Sequence, residues 1–118
     1  MTKPHGYPKY LRLSGRDDIG AAYRLGRYHR LGVLHAKALP TQRDTPRFLI
    51  SVKKAIGTAA ERNRIKRLVR EAIRRHRDQL QHAHDVCVFL TSRPRRTPTL
   101  AEIDAEIVQL LRRLDAGA

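Results

Sequence analysis

Cationic side chains collect on one predicted helix, in the segment from Glu61 to Glu71 and just beyond it. From Ile65 onward, apolar residues recur at offsets of 3, 4, 7, 8 and 15, a spacing typical of a helix with one buried face. At about 100° per residue, the opposite face collects polar and cationic residues. That face consists of Asn63, Lys66, Arg67, Arg70, Arg74 and Arg77. Guanidinium and ammonium groups gathered on one side are suited to bind the phosphates of a nucleic acid.

Local ion pairs offer an alternative explanation of these charges. Helical spacing allows three such pairs: Arg67 with Glu71, Glu71 with Arg75, and Arg74 with Asp78. These pairs cannot neutralise all eight Lys and Arg residues of positions 62–77. The pattern therefore favours a nucleic-acid-binding face over a face that is merely solvated.

The chain as a whole is strongly basic. Its 118 residues include 25 Lys and Arg against 11 Asp and Glu, which gives a formal net charge of +14. Such a charge is self-repulsive in isolation and suits an anionic partner, so RNA, DNA and anionic lipid are all candidates at this level. The length fits one domain over residues 1–118, with a single modest core.

A membrane is the least favoured of these partners. The longest strongly apolar run, Val86 to Leu90, is far shorter than the roughly 20 residues that a membrane-spanning helix needs. Met1 to Pro8 lacks the apolar region of a signal peptide. The single cysteine, Cys87, lies in an apolar run and is expected to be a buried, unreactive thiol. We therefore expect a cytoplasmic protein with no membrane partner.

Turn residues and hydrophobic periodicity predict the order of the structural elements. Three helix starts carry capping signatures: Ser14 with Asp17, Thr58 with Glu61, and Thr99 with Glu102. The predicted elements are a flexible basic arm at 1–13, a helix at 16–25, strands at 31–39 and 47–54, the basic helix from Thr58 to about Leu80, a doubly buried strand at 86–91 and a helix after Thr99. This order predicts an α/β (α+β) two-layer sandwich, a small central sheet with helices in the order α-β-β(-β)-α-β-α.

The sequence offers no catalytic or metal-binding constellation. Adjacent Asp17 and Asp18 diverge by about 100° on a helix, so they suit its first turn better than a two-carboxylate site. His82 and His84 have no companion cysteine or acid cluster, which disfavours a metal site. There is no phosphate-binding glycine loop and no Ser-His-Asp pattern. We therefore expect no catalytic residue and no metal ligand, in a chain that binds rather than cuts.

Between the two nucleic acids, the pattern favours RNA. A helix-turn-helix that reads DNA needs two short helices joined by a tight turn, whereas a strand precedes the basic helix here. Ser51, Lys53 and His35 of the predicted sheet, with Tyr23 of the first helix, would form a shallow trough for single-stranded RNA. His35 and Tyr23 are equally compatible with ordinary packing.

Three segments together resemble the signature of the bacterial ribonuclease P protein subunit. They are Ser51–Lys54, Ile56–Gly57, and Arg62–Arg70 with its Arg-Asn-Arg start. The resemblance extends over nearly the whole chain through Arg12–Leu13, Asp18–Gly26 and Asp85–Leu90. Against the usual family pattern, Ile19 stands in place of Phe, Leu49 in place of Gly and Ala55 in place of Lys. These departures remove a ring for stacking and one phosphate partner, but they leave the helix signature intact.

The resemblance implies the accessory subunit of an endoribonuclease, in which a catalytic RNA removes the 5′ leader of precursor tRNA. The implied partners are the ribonuclease P RNA subunit and precursor tRNA, without DNA, and Mg²⁺ is required by the RNA active site and not bound by the protein. The family's fold also contains a left-handed βαβ crossover, an exception to the usual hand. By position, Arg62, Asn63, Arg64, Lys66, Arg67 and Arg70 would contact the catalytic RNA, and Ile19, Tyr23, His35, Ser51 and Lys54 the leader. The residue patterns described above add Arg74 to the first set and Lys53 to the second.

A structural RNA-binding protein associated with the ribosome, without a role in catalysis, is the alternative function. A protein-only nuclease is disfavoured because the sequence shows no clustered carboxylates to hold catalytic metal ions.

Overall fold

The computed structural model describes residues 12–117, and these form three α-helices and four β-strands. In chain order the elements are α1 (Arg16–Leu25), β1 (Arg27–Arg30), β2 (His35–Pro40), β3 (Arg47–Ser51), α2 (Ala59–His76), β4 (His84–Phe89) and α3 (Leu100–Ala116). Short 3₁₀ turns flank α2 at Lys54–Ile56 and Arg77–Gln79. The predicted order allowed for an optional third strand before α2, and the structure contains it.

The strands form one mixed sheet in the order β1-β2-β4-β3. β2 pairs antiparallel with both β1 and β4, whereas β3 pairs parallel with β4. Because α2 connects β3 to β4, these three elements form the predicted βαβ unit. The left-handed sense of that crossover stays a prediction from the resemblance.

α2 and α3 cover one face of the sheet and form the main core with it. Their apolar side chains pack on Phe48, Val86 and Val88 of the strands. The buried positions are Ile65, Val69, Ala72 and Ile73 of α2, and Ile103, Ile107, Leu110, Leu111 and Leu114 of α3. The apolar stripe predicted for the basic helix therefore faces the core, and this fixes the direction of the opposite, cationic side.

α1 packs on the other face of the sheet over a smaller apolar cluster. The buried residues of this cluster are Leu13, Ala22 and Cys87, with Ile19, Tyr23 and Leu49 packed around them. The burial expected for Cys87 is thus confirmed. β4 directs Val86 and Val88 to the main core and Cys87 to α1, so its predicted burial on both faces is also confirmed.

Polar contacts at both ends fix α1 on the sheet. Near its start, Arg47 Nη2 lies 3.1 Å from Asp18 Oδ2 and 2.7 Å from Asp85 Oδ2, and Arg47 Nε donates to Asp85 Oδ1 at 2.9 Å. The Arg47 and Asp85 side chains are only 12% and 6% exposed. Near its end, Lys37 Nζ donates to the Tyr23 carbonyl oxygen at 2.8 Å, which satisfies an acceptor that the helix terminus leaves open.

The region predicted as one strand at 31–39 contains a turn that separates β1 from β2. The Glu106 carboxylate of α3 accepts hydrogen bonds from the backbone N–H groups of Gly32 at 3.0 Å, Val33 at 3.2 Å and Leu34 at 2.8 Å. A cluster of backbone N–H groups of this kind is a favourable anion site. The sequence pattern does not reveal the turn because its stabilising partner lies 72 to 74 residues away.

Two helix boundaries also differ from the prediction. α1 begins after Gly15, whose φ of 93° lies in the left-handed region that favours glycine, and no side chain caps the helix. Ser14 is therefore not the cap. The basic helix ends at His76, and a 3₁₀ turn leads from there to Leu80, which stays buried as its place in the apolar stripe requires.

The capping signatures of the other two helices are confirmed. Thr58 Oγ1 and Thr99 Oγ1 each accept at 3.2 Å from the backbone N–H three residues further on. The strand ends shift slightly: β3 stops at Ser51, three residues before the predicted end, and β4 occupies 84–89 in place of 86–91.

Arg12 and Leu13, the last residues of the predicted basic arm, lie against β3. The Leu13 N–H donates to the Phe48 carbonyl oxygen at 2.9 Å, and the Leu13 side chain is buried. Residues 1–11 of the predicted arm lie outside the described residues.

Replacing Asp85 with alanine should destabilise the fold strongly, because Arg47 would keep only the half-exposed Asp18 as a partner. Removing one partner of a buried ion pair typically costs about 3–5 kcal/mol. Urea unfolding followed by circular dichroism measures the free energy of unfolding. Asp78→Ala is the control, because this side chain is 97% exposed, and its effect should stay under about 0.5 kcal/mol. A loss of less than about 1 kcal/mol for Asp85→Ala would show that the pair is as weak as a surface pair.

Candidate nucleic-acid interface

The outward side of α2 forms the first candidate surface. Burial of Ile65, Val69 and Ile73 turns the polar residues of the helix toward solvent. Of the seven predicted RNA-binding residues, Asn63, Arg64, Arg67 and Arg70 are exposed, and Arg62, Lys66 and Arg74 are partly exposed. We define the α2 cationic face as Arg62, Asn63, Arg64, Lys66, Arg67 and Arg70.

The charges of the α2 cationic face have no counter-charge within residues 12–117. None of its Lys and Arg side chains makes an ion pair or hydrogen bond there. Acidic side chains pair elsewhere: Asp18 with Arg43 and Arg47, Asp85 with Arg47, Glu61 with Arg93, Glu71 with Arg74, Glu102 with Arg96, and Asp104 with Arg75 and His76. Like charges on one helix side repel each other, so an anionic partner would stabilise this surface.

The last turns of α2 are partly neutralised. Arg74 contacts Glu71 through two hydrogen bonds, of 2.6 Å and 3.0 Å, and these bonds raise the pKa of the Arg74 guanidinium. Arg75 lies 3.8 Å from Asp104 of α3. Among the described residues, Arg74 is thus the one of the seven predicted positions that pairs with a carboxylate, and the unpaired charge lies toward the start of the helix.

The second candidate surface is the part of the sheet that α1 leaves open. Strand pairing places four residues in one row across the sheet: Arg30, His35, Phe89 and Ser51. Two residues away along the strands lies a second row on the same face, Tyr28, Lys37, Cys87 and Leu49. α1 packs over Cys87 and Leu49, so the first row forms the floor of a groove beside the helix. We define the sheet trough as Tyr23, Tyr28, Arg30, His35, Ser51 and Phe89.

Four aromatic rings follow one another across the sheet trough. The ring centroids of Tyr23 and Phe89 are 6.1 Å apart, those of Phe89 and His35 are 5.7 Å apart, and those of His35 and Tyr28 are 5.7 Å apart. The last two pairs are stacked, with interplanar angles of 20° and 27°. A row of flat rings is a platform on which bases of a single strand can stack, whatever their sequence.

His35 packs within this row, with both of its ring nitrogens engaged. Its Nδ1 is hydrogen-bonded to the Tyr28 hydroxyl, and its Nε2 lies 3.1 Å from Thr91 Oγ1. Only 9% of the residue is exposed. Tyr23 stays partly exposed, and desolvation, with a smaller contribution from Cys87, raises the pKa of its hydroxyl. His35 is therefore packed within the protein, whereas Tyr23 presents part of its ring to the trough; contact of either residue with a leader stays a prediction.

The remaining predicted leader-binding residues lie around the trough. Ser51 ends β3. Ile19 is partly buried in the small cluster of α1. Lys53 and Lys54 follow β3, are exposed, and have no ion pair within residues 12–117. Because the chain runs from these lysines into α2, they connect the sheet trough to the α2 cationic face.

Sequence reasoning missed Tyr28 and Phe89 as members of the candidate site. Tyr28, 49% exposed, lies on β1, a short polar strand that hydrophobic periodicity did not reveal. Phe89 ends β4, and alternation along that strand from the inward Val88 would have placed its ring on the side of α1.

Within residues 12–117, no group of three or more His, Cys, Asp or Glu side chains lies close enough together to hold a metal ion. None of the helices in that range combines the length and apolar character needed to cross a membrane.

The α2 cationic face and the ring-lined sheet trough together define a protein of the nucleic-acid-binding class. Comparison with known proteins identifies the family: the ribonuclease P family model matches residues 7–115. A ribonuclease P protein component from Nitrosomonas eutropha is 39% identical over 116 residues, which cover 94% of each chain. One from Desulforapulum autotrophicum is 39% identical over 85 residues, which cover 72% of this chain and 73% of that one.

Solved structures agree with this comparison. The ribonuclease P protein from Thermotoga maritima superposes with a TM-score of 0.75 at 25% identity, covering 86% of this chain and 96% of that one. The chain belongs to the ribonuclease P protein family.

The thiol of Cys87, beneath Tyr23, should be chemically inert in the folded protein. Burial raises its pKa from the ordinary value of 9.0 to about 11. At pH 8 the folded protein should therefore react with iodoacetamide about 100-fold more slowly than the urea-unfolded chain, because the thiolate is the reactive form. Mass spectrometry measures both rates, and equal rates would show that the thiol is accessible.

The raised pKa of Cys87 also determines how the stability of the protein changes with pH. Between pH 9 and 11 the folded state keeps the thiol proton that the unfolded state loses, so the free energy of unfolding falls as pH rises. Cys87→Ala should remove this part of the decline.

Proposed function

We propose that this chain is the protein subunit of ribonuclease P, and that it binds both the catalytic RNA and the 5′ leader of precursor tRNA. Family membership makes it the protein component of an endoribonuclease holoenzyme with an RNA partner. The proposal assigns one surface to each RNA. The α2 cationic face binds the folded RNA subunit, and the sheet trough binds the single-stranded leader during removal of that leader.

The unpaired charge of the α2 cationic face is the observation that carries the proposal. Arg64, Arg67 and Arg70 are exposed on one side of a helix whose other side is buried, and none of them has a carboxylate partner within residues 12–117. Guanidinium groups bind phosphate oxygens through paired, charge-assisted hydrogen bonds. A folded RNA presents phosphates at high density, and their binding releases counterions from the RNA.

The sheet trough suits a leader because four of its six residues carry an aromatic ring. Tyr23 and Phe89 present partly exposed rings, while the nitrogens of His35 are engaged within the protein. Stacking on rings tolerates any base. Lys53 and Lys54 at the end of the trough supply positive charge for the leader backbone.

In this proposal the RNA subunit performs the hydrolysis, and the protein supplies binding and position. Mg²⁺ at the RNA active site supplies activation of water and stabilisation of charge. Arg67 and Arg70 neutralise phosphates, which reduces the repulsion that free Mg²⁺ would otherwise have to screen. A leader held in the trough fixes the orientation of the precursor toward the cleavage site. The protein should therefore help most at low magnesium.

RNA is proposed as the partner and DNA is not. A strand and a 3₁₀ turn, and not a second short helix, precede α2, so the helix-turn-helix geometry for the DNA major groove is missing there. Precursor tRNA in the cytoplasm is the proposed substrate of the assembled particle.

Reconstitution tests the proposal. Precursor tRNA is cleaved by the ribonuclease P RNA at low magnesium, with and without the protein, and the wild-type protein should accelerate the reaction. Arg67→Ala with Arg70→Ala should bind the RNA subunit more weakly and reduce the slope of log K against log salt by about 1.4–1.8, because each lost phosphate contact removes about 0.7–0.9. Filter binding at several salt concentrations measures this slope.

The matched control is Arg75→Ala with Arg93→Ala, which removes the same charge from side chains that already pair with Asp104 and Glu61. This control should change the slope less. Absence of acceleration by the wild-type protein would refute the proposed function. Capture of ribosomal RNA in preference to ribonuclease P RNA from a lysate would favour the ribosome-associated alternative.

Phe89→Leu should weaken leader binding while keeping an apolar side chain in the trough. Loss of one stacked base is worth about 1–2 kcal/mol, or about 5- to 30-fold in Kd. The measurement is the affinity of the holoenzyme for precursor tRNA with and without its leader. Phe89→Tyr, which keeps the ring, is the control and should bind as the wild type does. Equal losses for both RNAs would place Phe89 outside the leader contact.

A further inference from the structure

A second group of cations lies at the edge of the sheet opposite β3. β1 is that edge strand, and the end of α3 lies beside it. Arg27 and His29 pair with alanines of β2 that face the main core, so both side chains project on the side of α3. Arg113 of α3 donates from Nη1 to the Arg30 carbonyl oxygen at 2.7 Å. All four residues border a concavity of about 490 Å³, and we call the three whose side chains lie on the α3 side, Arg27, His29 and Arg113, the β1–α3 corner.

No carboxylate neutralises the β1–α3 corner within residues 12–117. The side chains of Arg27 and Arg30 have no ion pair or hydrogen bond there, and Arg113 has its single bond to a carbonyl. Asp115, two residues beyond Arg113, accepts a hydrogen bond from the Gln81 N–H at 2.8 Å. The guanidinium groups of Arg27 and Arg113 therefore border one concavity without a paired acid, whereas the side chain of Arg30 belongs to the opposite, trough side of β1.

The pKa of His29 reflects the positive potential of this corner. Desolvation lowers the pKa of its imidazole, and the charges of Arg113, Arg27 and His84 lower it further. The corner thus disfavours one more cation, which is the condition that an anion would relieve.

Two purely structural roles explain part of this arrangement. Cations near the C-terminus of α3 complement its dipole, an effect worth about 0.3–1 kcal/mol that falls off within the last turn. Charged side chains on an edge strand also discourage pairing with another chain. The dipole accounts for Arg113, and edge protection needs charge only somewhere along β1. Neither role requires Arg27 and Arg113 to border one concavity.

We propose that the β1–α3 corner is a second phosphate-binding site, which takes the backbone of an RNA segment other than the one on the α2 cationic face. Arg113 keeps most of its donors free, and Arg27 keeps all of its donors, so each can contact phosphate oxygens. The two edge strands are three strand spacings apart, roughly 15 Å. The proposal rests on the proposed function in that the partner is RNA, and it makes the domain a bridge between two RNA segments.

The test compares binding of the full chain to ribonuclease P RNA alone, without tRNA, at several salt concentrations. Arg27→Ala with Arg113→Ala should weaken binding about tenfold or more and reduce the salt slope by about 1.4–1.8. Arg27→Lys with Arg113→Lys keeps the charge and should restore most of the slope. Thermal unfolding without RNA checks the fold of each variant, and Arg27→Ala alone, which leaves the Arg113 bond in place, should reduce the slope by about 0.7–0.9 and keeps the test valid if the alanine pair folds poorly.

The matched control is Arg24→Ala with Arg112→Ala, which removes two exposed arginines that also lack a carboxylate partner within residues 12–117. A loss equal to that of this control would overturn the corner site, because the effect would then be one of net charge. If Arg67→Ala with Arg70→Ala weakens binding and Arg27→Ala with Arg113→Ala does not, the corner proposal fails while the proposed function stands. If the wild-type protein does not bind this RNA, both fail.

Discussion

The contact between Arg47 and Asp85 fixes the arrangement on which both candidate surfaces depend. The two residues are paired across the parallel strands β3 and β4, and Asp18 brings α1 to the same guanidinium. Charges that leave water are stabilised only when their hydrogen bonds are well formed, and the two bonds between Arg47 and Asp85 meet that condition. With α1 held at this end of the sheet, the row of His35, Phe89 and Ser51 stays open.

The few acidic side chains are placed where the fold needs them. Asp85 secures the sheet, Asp104 contacts α2 from α3, and Glu106 closes the turn between β1 and β2. The cations outnumber them, so the surplus positive charge lies on the surface in groups that the protein itself does not neutralise. This separation of charge explains how a chain of net charge +14 keeps a well-packed core and still attracts a polyanion.

The parts of the fold that sequence could predict are those whose determinants are local. In both α2 and α3, the capping residue and the apolar stripe lie within a few helical turns of each other. The sequence pattern therefore predicted both helices, and it predicted which side of α2 is cationic. β1 could not be predicted from hydrophobic periodicity, because it is only four residues long and polar, and because the turn that follows it depends on the distant Glu106. The full set of rings in the sheet trough could not be predicted either, because it is the register between strands that brings Tyr28 and Phe89 next to His35. Which cations remain unpaired depends on tertiary contacts such as that of Arg75 with Asp104.

Glu106 also imposes an order on the assembly of the chain. Three N–H groups of the turn at 32–34 depend on a residue that follows them by 72 to 74 positions, so most of the polypeptide must leave the ribosome before their acceptor exists. Contacts between residues so far apart in sequence are expected to form late in folding, because closing a long loop costs conformational entropy. Tyr28 lies on the strand that adjoins that turn, so we expect its place in the sheet trough to become fixed only when the C-terminal helix has docked. On this expectation, a nascent chain completes its basic helix before its aromatic groove.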